Sequence, residues 1–207
     1  MESKHTSAGP QPPSLVYRPT SYVERLDLAQ VFPKTRPLEV ELGSGDGSFL
    51  VEWARRHPER NFLGVERLLG RIRKLDRKAF RAGLSNLRAI RLEASYLLEF
   101  LLPPASVHAL HVYFPDPWPK RKHRKHRLVN ARFTKVAEQF LISGGIVYLR
   151  TDDTDYLAQM NLAFGANPNF VAAQTPAELS ELVTDFERGF QASGVATVMA
   201  AYRLEKK

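Results

Sequence analysis

From Leu38 onward the chain alternates between short apolar runs of strand length and longer segments whose apolar residues recur at helical spacing, and this rhythm restricts the folds open to it. Strands are predicted at Leu38–Leu42, Asn61–Glu66, 87–92, Val107–Tyr113 and 145–150, with helices near 47–57, 68–82, 96–101, 127–142 and 154–164. In 68–82, Leu68, Ile72, Leu75 and Ala79 share one face, Arg71, Lys74, Lys78 and Arg81 lie mainly off it, and Gly83 supplies a stop. Strands that alternate with helices pair in parallel through right-handed crossovers, so a doubly wound α/β domain is expected, with helices on both faces of the sheet. After Asn167 the rhythm changes. Phe170–Ala173 and 195–204 both read as strands with no long helix between them, which predicts a C-terminal antiparallel hairpin on a mostly parallel sheet.

Residues 1–14, with Pro10, Pro12 and Pro13, read as a flexible N-terminal tail, and 15–207 as a single domain. A short helix is expected over 21–30, after which Pro33 and Pro37 carry the chain in extended form to the core. With 43% hydrophobic residues among 207, the chain has enough apolar surface for a substantial core. It has no cysteine, which excludes disulfides, thiolate metal sites and cysteine nucleophiles. No apolar run approaches the roughly 20 residues that span a bilayer, and the first 14 residues lack the apolar centre of a secretion signal. A cytoplasmic protein is expected. Among the histidines, His108 and His111 form one close pair and His123 and His126 another. Neither pair has an evident third ligand, so no metal is expected: the first pair reads as packed on a strand, the second as part of a phosphate contact. Monomer and homodimer are both left open.

The segment EVELGSGDG, 39–47, is a strand running into a glycine-rich turn, at the sheet edge where open α/β folds bind ligands. Gly43 and Gly45 permit positive φ and close approach of a ligand to the backbone. A dinucleotide site would need a third small residue three positions after Gly45, where Ser48 stands instead. Glu41 and Asp46 flank the turn with negative charge, which opposes a pyrophosphate and suits a cation. No Lys-Ser or Lys-Thr follows, which excludes a triphosphate-cradling loop. S-adenosylmethionine meets these constraints, because it carries an ammonium and a sulfonium and no phosphate. Glu41 would face its methionine end, Glu66 its ribose, and Glu93 with Ala94 its adenine, although each acid alone is equally readable as a helix cap or ion-pair partner.

Just past the fourth predicted strand, Asp116 lies in the run YFPDPWP, 113–119, where prolines restrict the backbone around the carboxylate. Tyr113, Phe114 and Trp118 read first as packing residues. The next eight residues, KRKHRKHR, contain Lys120, Arg121, Lys122, Arg124, Lys125 and Arg127 and read as a ramp for phosphates. The net charge of +8 agrees with a polyanionic partner, here a nucleic acid.

At this point the sequence resembles the bacterial tRNA (guanine-N7-)-methyltransferases of the TrmB type. The resemblance runs over about 38–190 and rests on ELGSGDG at 41–47, GVE at 64–66, FPDPWPK at 114–120, TD at 151–152 and TDFER at 184–188. The glycine turn is shared by many methyltransferases, whereas PDPWPK with its basic extension and the late T-x-F-E are much more specific. Glu93 stands where aspartate or asparagine is more usual, and Asp185 where lysine is frequent. The resemblance implies a class I S-adenosylmethionine-dependent methyltransferase (Rossmann-like) fold. It further implies methyl transfer to N7 of guanine 46 in the tRNA variable loop. Glu41, Glu66, Glu93 and Asp116 would contact S-adenosylmethionine, with Asp116 also catalytic, and Lys120, Asp152, Thr184, Asp185, Phe186 and Glu187 would contact tRNA. Guanine N7 has a free lone pair and no proton, so no activated base is needed. Asp116 would orient the ring and offset its developing charge, with Asp152 and Glu187 on its donor edge. An NAD-dependent oxidoreductase and a non-catalytic RNA-binding module on a methyltransferase-like shell are the competing readings.

Overall fold

A computed structural model of the chain describes residues 14–206. Apart from Ser14, the N-terminal tail lies outside the described residues. Eight strands form one sheet: β1 (Val16–Tyr17), β2 (Leu38–Leu42), β3 (Asn61–Glu66), β4 (Leu87–Arg91), β5 (Val107–Tyr113), β6 (Leu141–Thr151), β7 (Phe170–Ala173) and β8 (Val198–Leu204). They lie in the order β1-β4-β3-β2-β5-β6-β8-β7. All pairs from β1 to β6 are parallel, and β8 runs antiparallel to both β6 and β7. The expected mixed sheet with an antiparallel C-terminal end is therefore present.

Both faces are covered. On one, Leu38, Val40 and Leu42 of β2 pack with Val65, Leu110, Val147 and Leu149 beneath α5 (Ala131–Phe140) and α6 (Thr154–Gly165). On the other, Phe62, Leu87 and Ala89 meet α2 (Ser48–Arg56) and α3 (Leu69–Arg81). Alternation along β2 sends Glu39 and Glu41 to this second face, although every residue of the strand is buried. Ile72, Leu75 and Ala79 of α3 are buried, but Leu68 is 46% exposed at the cap position and outside the apolar stripe. Gly83, at φ +64°, ends α3 as expected: its N–H donates to the Phe80 carbonyl and that of Leu84 to Ala79.

Several boundaries differ from expectation. The helix expected over 21–30 is only α1 (Leu28–Val31), capped by Asp27, because the Ser21 hydroxyl already bonds the N–H groups of Val23 and Glu24 in a turn. Asn130 caps α5 by accepting from Arg132 and Phe133, so that helix starts four residues late, and β6 takes its expected end. The segment expected at 96–101 is α4 (Ala94–Tyr96) followed by a π-turn, Leu97–Leu101. Two short helices, α7 (Ala177–Glu181) and α8 (Asp185–Ala192), fill the stretch between β7 and β8. The two-residue β1 was not anticipated, since so short a strand shows no periodicity.

Candidate active site

The parallel strands β2 to β6 end at one rim. There Gly43, Gly45 and Gly47 all adopt positive φ, at +73°, +56° and +79°. A Cβ on Gly43 would meet nothing within 4 Å, whereas one on Gly47 would lie 2.6 Å from Leu75 Cγ. The first glycine thus leaves the backbone open to a ligand, and the other lets α3 pack against the turn. The N–H groups of Gly43 and Ser44 both donate to the Val65 carbonyl, at 2.8 and 2.9 Å, fastening the turn to β3.

A cleft of about 660 Å³ opens above this turn, and its lining includes Glu41, Gly43, Gly45, Glu66, Glu93, Ala94 and Asp116. Every cofactor residue expected from sequence is therefore in one cavity. Glu41 is buried, and its Oε2 has no hydrogen-bond partner. Burial pushes its carboxyl up to about 8, with Arg150 pulling the other way and Asp46 and Glu66 reinforcing the rise. Glu66 accepts the Leu68 N–H at 2.8 Å, and its other oxygen lies 3.7 Å from Arg71. Glu93 is exposed and stands at the start of α4 without a side-chain cap bond. Asp46 departs from expectation. Its carboxylate pairs with Lys78 at 2.7 Å, so Asp46 is engaged by the protein and Glu41 is the acid beside the turn left without a partner. A buried unpartnered carboxylate, an unpartnered Ser44 hydroxyl and an open Gly43 backbone fit a small cationic ligand with polar ends.

Asp116 is exposed at the cleft wall, between two residues in the left-handed region, Phe114 at φ +50° and Trp118 at φ +43°. Non-glycine residues held there store on the order of 1–3 kcal/mol each, so the loop needs anchors. The Phe114 N–H donates to the Arg150 carbonyl at 2.8 Å, and Pro117 O accepts from Arg127 Nε at 2.6 Å. Arg127 was expected in the phosphate ramp, and the structure corrects this. Its guanidinium is buried, bonds Gln159 and Asp155, and lies 4.7 Å over the Tyr156 ring. Trp118, expected in the core, is 38% exposed and packs against His123 and His126 at the cleft mouth. Of the other pair, His111 is buried as expected, but His108 is exposed.

Lys120, Arg121, Lys122 and Arg124 are exposed on and beside a short 3₁₀ segment, Arg121–His126, with Arg124 lying 3.1 Å from Asp155. Of this basic run, Lys125, His126 and Arg127 reach the cleft lining. Asp152 follows β6 and is partly exposed, outside that lining. Thr184 lines the cleft and forms a capping box with Glu187: the Glu187 N–H donates to the Thr184 hydroxyl at 3.1 Å, and the Thr184 N–H to Glu187 Oε2 at 2.8 Å. Glu187, expected at the guanine, is buried with Oε2 also 2.6 Å from Arg150 and Oε1 3.3 Å from the Thr197 hydroxyl. The side chains of Asp185 and Phe186 lie outside the described residues.

Sequence reasoning missed Arg150. Its buried guanidinium bonds Glu187, Leu182 O and Leu179 O, and lies 4.7 Å over the Tyr113 ring. It joins the end of β6 to the α7–α8 segment and to the base of the Asp116 loop. The only signal was an arginine inside an apolar strand run, LRT, at a position where charge requires a buried partner. Among the described residues, no group of three or more His, Asp or Glu side chains is placed to hold a metal, and no helix is long and apolar enough to cross a membrane.

Residues 35–200 match a family described as a putative methyltransferase. The chain is 38% identical over 150 residues to a tRNA (guanine-N(7)-)-methyltransferase of Aliivibrio fischeri, covering 72% of this chain and 63% of the relative. It is 36% identical over 177 residues to one of Thiobacillus denitrificans, covering 84% and 76%. In fold it is similar to the crystal structure of the 16S rRNA methyltransferase KamB, with a TM-score of 0.65 at 17% identity over 88% of this chain and 95% of that one. The chain belongs to the tRNA (guanine-N7-)-methyltransferase family.

Proposed function

We propose that this family member methylates N7 of a guanine in tRNA, with guanine 46 of the variable loop as its target, and that it works in the cytoplasm. S-adenosylmethionine, when bound, supplies a sulfonium methyl that a ring nitrogen can accept without first losing a proton. The observation that carries the reading is the buried, unpartnered Glu41 carboxylate beside the glycine turn, one strand away from the Asp116 loop. Glu41 would take the ammonium, Glu66 the ribose hydroxyls, and Glu93 with Ala94 the adenine edge.

Asp116 would face the purine. Held by its strained, doubly anchored loop, its carboxylate offsets positive charge on the ring without having to reorganise. Arg127 and Arg150 position that loop from below, and the buried Tyr113 walls it. Lys120, Arg121, Lys122 and Arg124 would bind phosphates beside the cleft, and Asp152 and the segment from Thr184 to Glu187 would complete the base contact. Because Glu187 is engaged with Arg150 in this state, its share in that contact requires the segment to re-dock.

The test is turnover on unmodified tRNA at saturating S-adenosylmethionine. Asp116→Ala should lower kcat by about 10²–10³-fold, the range of a lost charge-stabilising group. Mass-spectrometric mapping should place the new methyl on the variable-loop guanine. Parental turnover in Asp116→Ala, or methyl on another atom, refutes the assignment.

A further inference from the structure

On α2 the arginines of the last turn face carboxylates. Arg55 and Arg56 each lie 2.8 Å from Glu52, and Arg56 lies 4.0 Å from Glu178. α3 is built the other way. Its exposed arc carries Arg73, Lys74, Arg77 and Arg81, and none of these four has an ion pair among the described residues. The nearby acids are engaged elsewhere. Asp76 binds the Ser14 hydroxyl and the Leu15 N–H, at 3.0 and 2.8 Å, Asp46 holds Lys78, and Glu66 accepts from Leu68. Phe80, 47% exposed, borders the same arc. A solvated helix normally intersperses both signs, whereas cations left uncompensated beside an exposed ring suit a nucleic acid.

The arc is continuous with the cleft, since Arg67 and Arg71 line it. Strand order places β2 between β3 and β5, so α3 and the basic loop rise on opposite sides of the glycine turn. At about 4.8 Å per strand spacing, their starting points lie about 10 Å apart at the rim. A gap of that size spans only a few nucleotides, so one RNA can reach both sides.

We propose that the α3 arc of Arg73, Lys74, Arg77 and Arg81 is a second phosphate-binding surface, which grips the same tRNA on the side of the cleft opposite the basic loop. This rests on the function proposed above. The test is the fourfold variant Arg73→Ala/Lys74→Ala/Arg77→Ala/Arg81→Ala, in which alanine preserves helix propensity. Its tRNA affinity at physiological salt should fall at least tenfold, and the slope of log K against log salt should become shallower by about three units. S-adenosylmethionine affinity by calorimetry, and helicity, should stay at parental values. Unchanged tRNA affinity and slope would overturn the proposal, as would loss of binding to anionic phospholipid vesicles with tRNA binding intact. Binding slopes do not depend on chemistry, which separates the two readings. A parent that binds tRNA but methylates no guanine refutes the function and leaves the surface standing, whereas an active fourfold variant with parental tRNA binding refutes the surface alone.

Discussion

Glu39 and Glu41 lie two residues apart on one face of β2, both buried, and their surroundings differ completely. Glu39 accepts from Trp53 Nε1 and bonds His111 Nε2, each at 2.8 Å, and lies 2.5 Å from Arg60. Burial alone would push its carboxyl up, but the hydrogen bond and electrostatic pull of His111, with the bonds from Trp53 and Arg60, hold it at about 2. Glu41, one pleat nearer the rim, has an oxygen with no partner and sits at about 8. The same residue type on the same strand is completed by the protein at one position and left with an unpartnered oxygen at the other. An acid becomes a site where the fold stops short of satisfying it.

The sharpest way to break this comparison is Glu39→Ala, which leaves His111 and Arg60 without their carboxylate. Unfolding in denaturant should show a loss of about 3–5 kcal/mol, the usual result of breaking a buried pair. Parental stability would mean that Glu39 is as dispensable to the fold as Glu41.

The pH dependence of stability comes next. Glu41 is raised above its ordinary value of 4.5, so the folded protein holds a proton that the unfolded chain releases. Its contribution is complete below that value and is lost as pH rises toward 8, at about 1.4 kcal/mol per pH unit within the window. Glu39 is depressed, so its contribution is present above 4.5 and is lost as pH falls through about 2. Comparing ligand-free Glu41→Gln with the parent isolates the first effect: the variant should gain on the parent steadily from pH 5 to pH 8. A constant difference would show that Glu41 is not buried as a lone acid.

The smallest effect concerns the ligand. If an ammonium completes Glu41, Glu41→Gln should weaken S-adenosylmethionine binding by about tenfold, near 1.4 kcal/mol, with little change in fold. Parental affinity tightening with pH below 8, and a flat profile in the variant, would sharpen the contrast between the two acids.

The elements that position the site were legible because their signals are local. Strand-length apolar runs, the glycine turn and the carboxylates that end β2, β3 and β4 can be read within a few residues, and the cleft gathers them as expected. What remained hidden depends on partners far away in sequence. Arg127 meets Gln159 and Asp155, and Arg150 meets Glu187, across separations of 28 to 37 residues. A basic run therefore concealed one arginine that clamps a loop among others that face solvent. Lys78 is likewise 32 positions from Asp46, and a carboxylate that seemed available was already neutralised.

The position of β8 has a consequence for how the molecule can be assembled. Among the described residues it is the last strand in chain order, yet it lies inside the sheet, and β7 pairs with no other strand there. On a ribosome, the open edge of β6 must wait, and β7 has nowhere to bind, until residues 198–204 have emerged. A nascent chain truncated before that point would leave Ile146 to Thr151 of β6 with an unpaired edge, an invitation to aggregate that arises before any question of catalysis.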